Sequence, residues 1–170
     1  TLGMAQRGGA VQSHVRIGEA VHGPIIPNGR TSVLLSLEPS ESLRTPEYLS
    51  QGTRAIVNTA FVHPIPVMLG DEKPHDLDTV ISALRRISPE VYTLDAKRIA
   101  ESVGASGSLN IVVLGAYAAL GDTILSEASI KSALAESTPK RFLEQNTRAY
   151  EDGFREMRAR PSSGSNRTAG

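Results

Sequence analysis

Three short apolar runs decide what this chain can fold into: Val33 to Leu37 (VLLSL), Arg54 to Asn58 (RAIVN) and Val91 to Leu94 (VYTL). Each is too short for a buried helix and carries the β-branched or aliphatic residues of a strand covered on both faces. Between the second and third, Asp76 opens a stretch with Leu77, Val80, Ile81, Leu84 and Ile87 on one helical stripe. Strands alternating with helical patterns imply a three-layer αβα domain with a mostly parallel sheet.

Ala10 to Ile17 alternates Val11, Ser13, Val15 and Ile17 against Gln12, His14 and Arg16, and Gly18-Glu19 can turn the chain back through Ala20 to Ile26. This predicts a β-hairpin near the N-terminus. Pro27-Asn28-Gly29 is a turn. Pro39 to Ser50 is expected as a helix with Pro near its start and Gly52 beyond its end. His63-Pro64-Ile65-Pro66 must be extended, because each Pro drives its predecessor out of the helical region. Asp95 ends the third strand and can cap a helix running to Val103.

The C-terminal third is expected to be helical. Asn110 to Leu120 is apolar nearly all round and belongs at the centre of the packing. Ser126 to Ala135 is well capped. Pro139 starts a last helix with Phe142, Leu143, Asn146, Ala149, Tyr150 and Met157 on one stripe. Residues 1–157 form a single domain on this reading, and 158–170, rich in Ser, Gly and Arg, a disordered tail. Its Asn166-Arg167-Thr168 triplet fits a glycosylation pattern, but nothing else points to secretion. The chain opens on a Gly-rich loop leading straight into a strand, whereas such a domain normally begins with its central strand. A missing piece of the domain is expected.

Composition removes several function classes. Lys+Arg and Asp+Glu are 18 each, a balance unlike that of a phosphate-backbone binder, and 4% aromatics without Trp provide no stacking platform. Cysteine is absent, which excludes a disulfide scaffold, a thiolate nucleophile and cysteine-ligated zinc or iron–sulfur sites within the chain. If electrons are transferred, the metal centres sit on another polypeptide. No apolar run reaches bilayer length and no signal-peptide pattern opens the chain, so a soluble cytoplasmic protein is expected.

Candidate chemistry is sparse. In Gly3-Met4-Ala5-Gln6-Arg7-Gly8-Gly9 the glycines can expose amide donors to an anion, and Arg7 adds a positive fork. A plain turn before a strand, with Arg7 paired to a neighbour, is the simpler reading of these residues alone. Four histidines (His14, His22, His63, His75) lack metal-ligand spacing; His14 and His22 can face each other across the hairpin. Glu38 stands at a strand end where α/β folds bind ligands, yet as a cap it would take the amides of the next helix. Asn110 and Asn146 each need a hydrogen-bond partner, more simply structural than a ligand. There is no Gly-x-Ser-x-Gly elbow and no Ser/His/Asp set, so no catalytic residue is assigned.

Gly3 to Ile17, GMAQRGGAVQSHVRI, resembles the gamma-type domain of 2-oxoacid:ferredoxin oxidoreductases, closest to the small (beta) subunit of the indolepyruvate enzyme. That group shows HGMxQRGGxVxSxVRxG, with Leu2 here in place of the His. His22 to Gly29, VLLSLEPSESLR at Val33 to Arg44, the Asn110 to Ala116 helix and the Pro139 to Gly153 run follow in family order. Family members begin with a strand, a Gly-rich turn and a helix that do not precede these motifs here.

The resemblance implies an accessory subunit of an enzyme that converts a 2-oxoacid and coenzyme A to acyl-CoA and CO2. Thiamine diphosphate, Mg and [4Fe–4S] clusters would lie on a large partner chain, with ferredoxin served through the complex. Gln6, Arg7, Gly8, Gly9 and Asn110 become the expected contacts to coenzyme A, another anion or the partner. A stand-alone nucleotide- or CoA-binding α/β module without redox activity, and a purely structural interaction domain, are the alternatives.

Overall fold

The computed structural model describes residues 11–61 and 76–160. Three parallel strands, β1 (Val33–Ser36), β2 (Arg54–Asn58) and β3 (Glu90–Leu94), lie in the order β1-β2-β3. Val33 stands opposite Arg54 and Arg54 opposite Glu90. The three apolar runs are the three strands, because continuous apolar sequence suits a sheet buried on both faces.

The described residues form five helices, α1 (Leu77–Ile87) between β2 and β3 and, after β3, α2 (Ala96–Ser102), α3 (Leu109–Ala118), α4 (Glu127–Ser137) and α5 (Lys140–Arg158). Three start where the sequence places a cap. The carboxylate of Asp76 accepts from Thr79 N, that of Asp95 from Arg98 N, and the Ser126 hydroxyl oxygen from Ser129 N. Each satisfies an amide that the first helical turn leaves unpaired.

The strand period sorts the core into two layers. Ala55, Val57 and Val91 face α1, where they meet Ile81, Leu84 and Leu49. Ile56 and Leu94 face the opposite way, onto Ile99 of α2, Val112, Val113 and Ala116 of α3, and Ala149 and Met157 of α5. Helix α4 packs outside this layer through Ile130 and Leu134, against Ala118 and Tyr150. The architecture is therefore αβα with a parallel sheet.

Three local expectations are corrected. The N-terminal β-hairpin does not form: no residue from 11 to 26 lies in a strand. The two arms still meet, but through side chains. Arg16 Nη1 donates to the carbonyls of Gly23 (2.6 Å) and Ile25 (3.3 Å), and Ile26 N donates to His14 Nδ1 (3.3 Å). Pro24 removes a ladder donor from the middle of the second arm, and proline is kept out of regular pairing for that reason. The stretch 39–50 is not one helix but two 3-10 turns, Ser40–Leu43 and Pro46–Tyr48. Pro46 divides it: Thr45 before it takes φ −135° and ψ 60°, outside the helical region. Phe142 leaves the expected stripe of α5. It is exposed under the Arg141 guanidinium, 4.6 Å from the ring centroid, because the buried residues of α5 begin only at Ala149.

The Pro27-Asn28-Gly29 turn is present, closed by Arg30 N to Pro27 O (3.1 Å), with Gly29 at φ +68°. Glycine takes that left-handed conformation without a Cβ clash. At the other end α5 runs through Arg158, and Arg160 Nη2 donates to Glu156 Oε1 at 3.0 Å. His63 to Pro66, His75 and residues 161–170 lie outside the described residues.

Candidate functional site

The C-terminal ends of parallel strands are where open α/β sheets bind ligands. Here that edge is organised by Asn58, the last residue of β2, which is 1% exposed. Its amide nitrogen donates to the carbonyls of Leu37 (2.9 Å) and Ala60 (3.3 Å), and its Oδ1 accepts from Ala96 N (3.0 Å). One side chain thus ties the end of β1, the exit from β2 and the start of α2. Glu38 beside it serves as a cap: its carboxylate accepts from Glu41 N at 3.1 Å and Ser40 Oγ at 3.4 Å.

A larger feature lies on the flank. Beside β1, between the 15–26 segment, α3 and the loop 122–125, a groove of about 860 Å3 opens on the surface. Val15, Ile17, Val21, Leu35 and Ile124 line it, and all five are large apolar side chains exposed by 40% or more. Here the 15–26 segment meets the side of β1 that no other described strand pairs with. Concentrated exposed apolar surface of this kind marks a binding or interaction site.

The rim of the groove is polar. Arg54 pairs with Asp122, Arg16 is held by two carbonyls, and Arg30 has no ion-pair partner among the described residues. The hydrogen bond from Arg54, reinforced by its charge, holds the Asp122 carboxyl below its ordinary pKa. A carboxyl lower in the folded state than in the unfolded one stabilises the fold above its ordinary range, and that contribution fades as the pH falls through the lowered value. Asp122 is 79% exposed on its side chain, so water screens the pair and its share of stability is small. Replacement Arg54→Gln is therefore expected to move the Asp122 titration back upward, with little change in melting temperature. Carboxyl-detected NMR titration reads this directly, and an unmoved Asp122 would show that the pair does not form in solution.

The expected site residues are not brought together within the described structure. Gln6, Arg7, Gly8 and Gly9 lie outside the described residues. Asn110 is exposed on the first turn of α3. Asn146 has the structural partner expected of it, accepting from Ser108 Oγ at 2.5 Å. His14 does not face His22; it meets the Tyr48 ring edge-on at 4.9 Å. Among the described residues no three His, Asp or Glu side chains gather closely enough to hold a metal ion. No helix there is long and apolar enough to cross a membrane.

Sequence reasoning missed Asn58, although a polar residue closing the buried run Ala55-Ile56-Val57 was a usable signal, since such a group must be satisfied. It also missed the groove. The alternation of Val11, Val15 and Ile17 was visible, but not that no layer of the described structure covers it.

Comparison with known proteins fits this picture. The profile of the pyruvate ferredoxin/flavodoxin oxidoreductase family matches residues 1–156. Subunits named indolepyruvate oxidoreductase subunit IorB are similar over most of their length. The one from Archaeoglobus fulgidus is 36% identical over 95% of this chain and 81% of its own. The one from Methanothermobacter thermautotrophicus is 39% identical over 89% and 77%. Among solved structures, the gamma subunit of a keto/oxoacid ferredoxin oxidoreductase from Geobacter sulfurreducens shares the fold with a TM-score of 0.55 at 22% identity, over 76% of this chain and 65% of that one. On the match that runs from residue 1 to 156, the chain belongs to the pyruvate ferredoxin/flavodoxin oxidoreductase family.

Proposed function

We propose that the chain is the small subunit of an indolepyruvate-type 2-oxoacid:ferredoxin oxidoreductase, inactive by itself and working in a cytoplasmic complex with a large subunit. The observation that carries this reading is the similarity to two IorB subunits over 95% and 89% of this chain. The reaction joins a 2-oxoacid and coenzyme A into acyl-CoA and CO2 and passes the electrons to ferredoxin. This chain's donor set does not fit an iron–sulfur cluster, since it has no cysteine to supply thiolates. Thiamine diphosphate, Mg and the clusters are accordingly assigned to the partner, and no chemical step is assigned to a residue of this chain. Its contribution is assembly and the approach of coenzyme A.

Within that reading, Gln6, Arg7, Gly8, Gly9 and Asn110 are the contacts to the anionic part of coenzyme A or to the partner. Arginine suits either role because its planar fork pairs with phosphate or carboxylate through two hydrogen bonds. Arg7→Ala is expected to raise the KM for coenzyme A, or to weaken assembly, while thiamine diphosphate binding stays as in the wild type. Unchanged coenzyme A kinetics together with unchanged assembly would remove Arg7 from the mechanism.

The decisive test of the whole reading is native isolation of the full gene product. A large assembly containing iron, sulfide and thiamine diphosphate, with 2-oxoacid- and CoA-dependent reduction of ferredoxin, is the expected result. A lone colourless subunit without that activity would overturn it.

A further inference from the structure

We infer that Asn146 is a positioning residue for the coenzyme A contact at Asn110. Through the Ser108 hydroxyl it fixes the first turn of α3, and with it the place from which the Asn110 amide meets the anionic part of coenzyme A. The inference rests on the proposed function and adds to it a residue of α5 that acts through Ser108 rather than by contact.

Three observations meet at the start of α3. First, Ser108 stands at the N-cap position, where a serine ordinarily accepts from an amide of the first turn, yet it makes no such bond. Its hydroxyl donates instead to Asn146 Oδ1 at 2.5 Å, a part-buried contact between residues 38 apart in sequence. Second, little else holds the chain just ahead of this turn. Ala105 is buried, with its N donating to the carbonyl of Ala100 at 2.8 Å. Gly104, Ser106 and Gly107 are exposed, and a Cβ on Gly107 would meet nothing within 4 Å. Third, Asn146 is half-buried in the interior of α5, where asparagine is a poorer helix former than leucine or alanine. The bond from Ser108 is the one hydrogen bond its side chain makes among the described residues.

The bond matters because of where the two helices meet. The backbones of α3 and α5 touch at Gly115 and Gly153 with no side chain between them. From Gly115 back to Ser108 is about 10 Å of helix. A helix fixed at one crossing alone can tilt about it and fray at its first turn, and the Ser108–Asn146 bond is the second fixed point. Asn110 lies two residues beyond that point, exposed, with no hydrogen-bond partner for its side chain among the described residues. Two anchors on α5 thus set where the Asn110 amide stands. A polar group already held in place has less freedom to lose when the ligand arrives, so the tie favours binding without touching the ligand.

The test measures the coenzyme A kinetics of the full-length subunit assembled with its large partner. Asn110→Ala is expected to raise the KM for coenzyme A. Asn146→Leu and Ser108→Ala should each raise it about three- to tenfold, matching the net contribution of one neutral hydrogen bond. The kcat at saturating coenzyme A and the KM for the 2-oxoacid should not change. Ser108→Thr keeps the hydroxyl and should stay at the wild-type value. The deciding measurement is made in the Asn110→Ala background, where Asn146→Leu should add nothing because no amide is left to place. A residue that only supports the fold would act by the same factor in both backgrounds. Such additivity overturns the positioning role and leaves the proposed function standing. So does an unchanged KM in Asn146→Leu and Ser108→Ala where Asn110→Ala raises it. Variants that assemble more weakly at unchanged KM overturn it as well, since the tie would then serve the partner interface. If Asn110→Ala itself leaves the KM unchanged, Asn110 is no coenzyme A contact and the inference falls, while ferredoxin reduction that needs 2-oxoacid and coenzyme A keeps the subunit reading. Should Asn146→Leu fail to fold, Ser108→Ala carries the same test.

Discussion

Gly153→Ala, like Gly115→Ala, should lower the stability of this protein more than a methyl added at any other described glycine of the helical layer. A Cβ built on Gly153 would lie 2.1 Å from the carbonyl oxygen of Val112, and one on Gly115 would lie 2.0 Å from that of Tyr150. The two glycines therefore mark one crossing, where the backbones of α3 and α5 touch with no side chain between them. Ordinary van der Waals contact begins near 3.4 Å, so either alanine must push the helices apart by more than an ångström. Neither obstacle can rotate away, because both are backbone.

Two effects oppose each other in that substitution. Alanine is the better helix former by about 1 kcal/mol, which favours the variant. Against it stands the loss of packing around Val112, Val113, Ala116 and Ala149, all buried in the layer the crossing holds together. Forced separation of a close-packed core costs about 3 kcal/mol or more, so the clash wins and the net loss is roughly 2–4 kcal/mol. For a chain of this size that is a fall in Tm of about 5–15 °C. The double variant Gly115→Ala/Gly153→Ala should cost less than the sum, because the first substitution has already opened the contact that the second would open. Gly107→Ala is the control: no heavy atom lies within 4 Å of its Cβ position, and its stability should stay within about 0.5 kcal/mol of wild type. Thermal unfolding by circular dichroism measures all four proteins. A Gly153→Ala variant melting within a degree or two of wild type would show that the helices do not cross here.

Asn58 should give the second large effect. Asn58→Leu keeps the branched heavy-atom skeleton but leaves the Ala96 amide, buried at the start of α2, without an acceptor, and frees the carbonyls of Leu37 and Ala60. An orphaned buried donor costs about 1–3 kcal/mol and each further lost bond about 1, so a loss of roughly 3 kcal/mol is expected. Asn58→Asp is the sharper experiment. It retains an acceptor for Ala96 N but sets a carboxylate oxygen against two carbonyl oxygens in a buried place. Burial and that repulsion raise the introduced carboxyl's pKa in the folded state above its unfolded value. The fold then favours the protonated acid, which can donate to one carbonyl, and the variant loses stability as the pH rises through the raised value. Its deficit relative to wild type should be smaller in mild acid than in mild alkali, whereas that of Asn58→Leu should not depend on pH. A pH-independent deficit for both would mean that the Asn58 side chain is not aimed at those carbonyls.

Much of the architecture could be read from the chain because its determinants are near neighbours in sequence. The strands at Val33, Arg54 and Glu90 follow from short apolar runs, and α1 from its stripe. The starts at Asp76, Asp95 and Ser126 follow from side chains three residues from the amides they satisfy. Where a local signal was overruled, another local one was competing with it. Pro46 breaks what the flanking residues would have made a helix, and Pro24 breaks the second arm of the hairpin. The family, too, was legible, since its motifs stand in order along the chain.

The site was legible only in part. Exposure is a property of what covers a residue, and Val15 or Leu35 has the same sequence pattern whether or not a layer lies over it. Arg54 and Asp122 belong to segments far apart in sequence, and only the fold makes them partners. Gly115 and Gly153 likewise stand in two separate motifs that give no sign of meeting. By itself the sequence determined the three strands of the parallel sheet, the capped helix starts and the family. The tertiary structure alone decided which apolar side chains the described layers cover, which polar end residue is buried, and where two helices touch backbone to backbone. The physical reason is range: periodicity, capping and proline act within a few residues, whereas coverage and close approach are set by segments that meet only after folding.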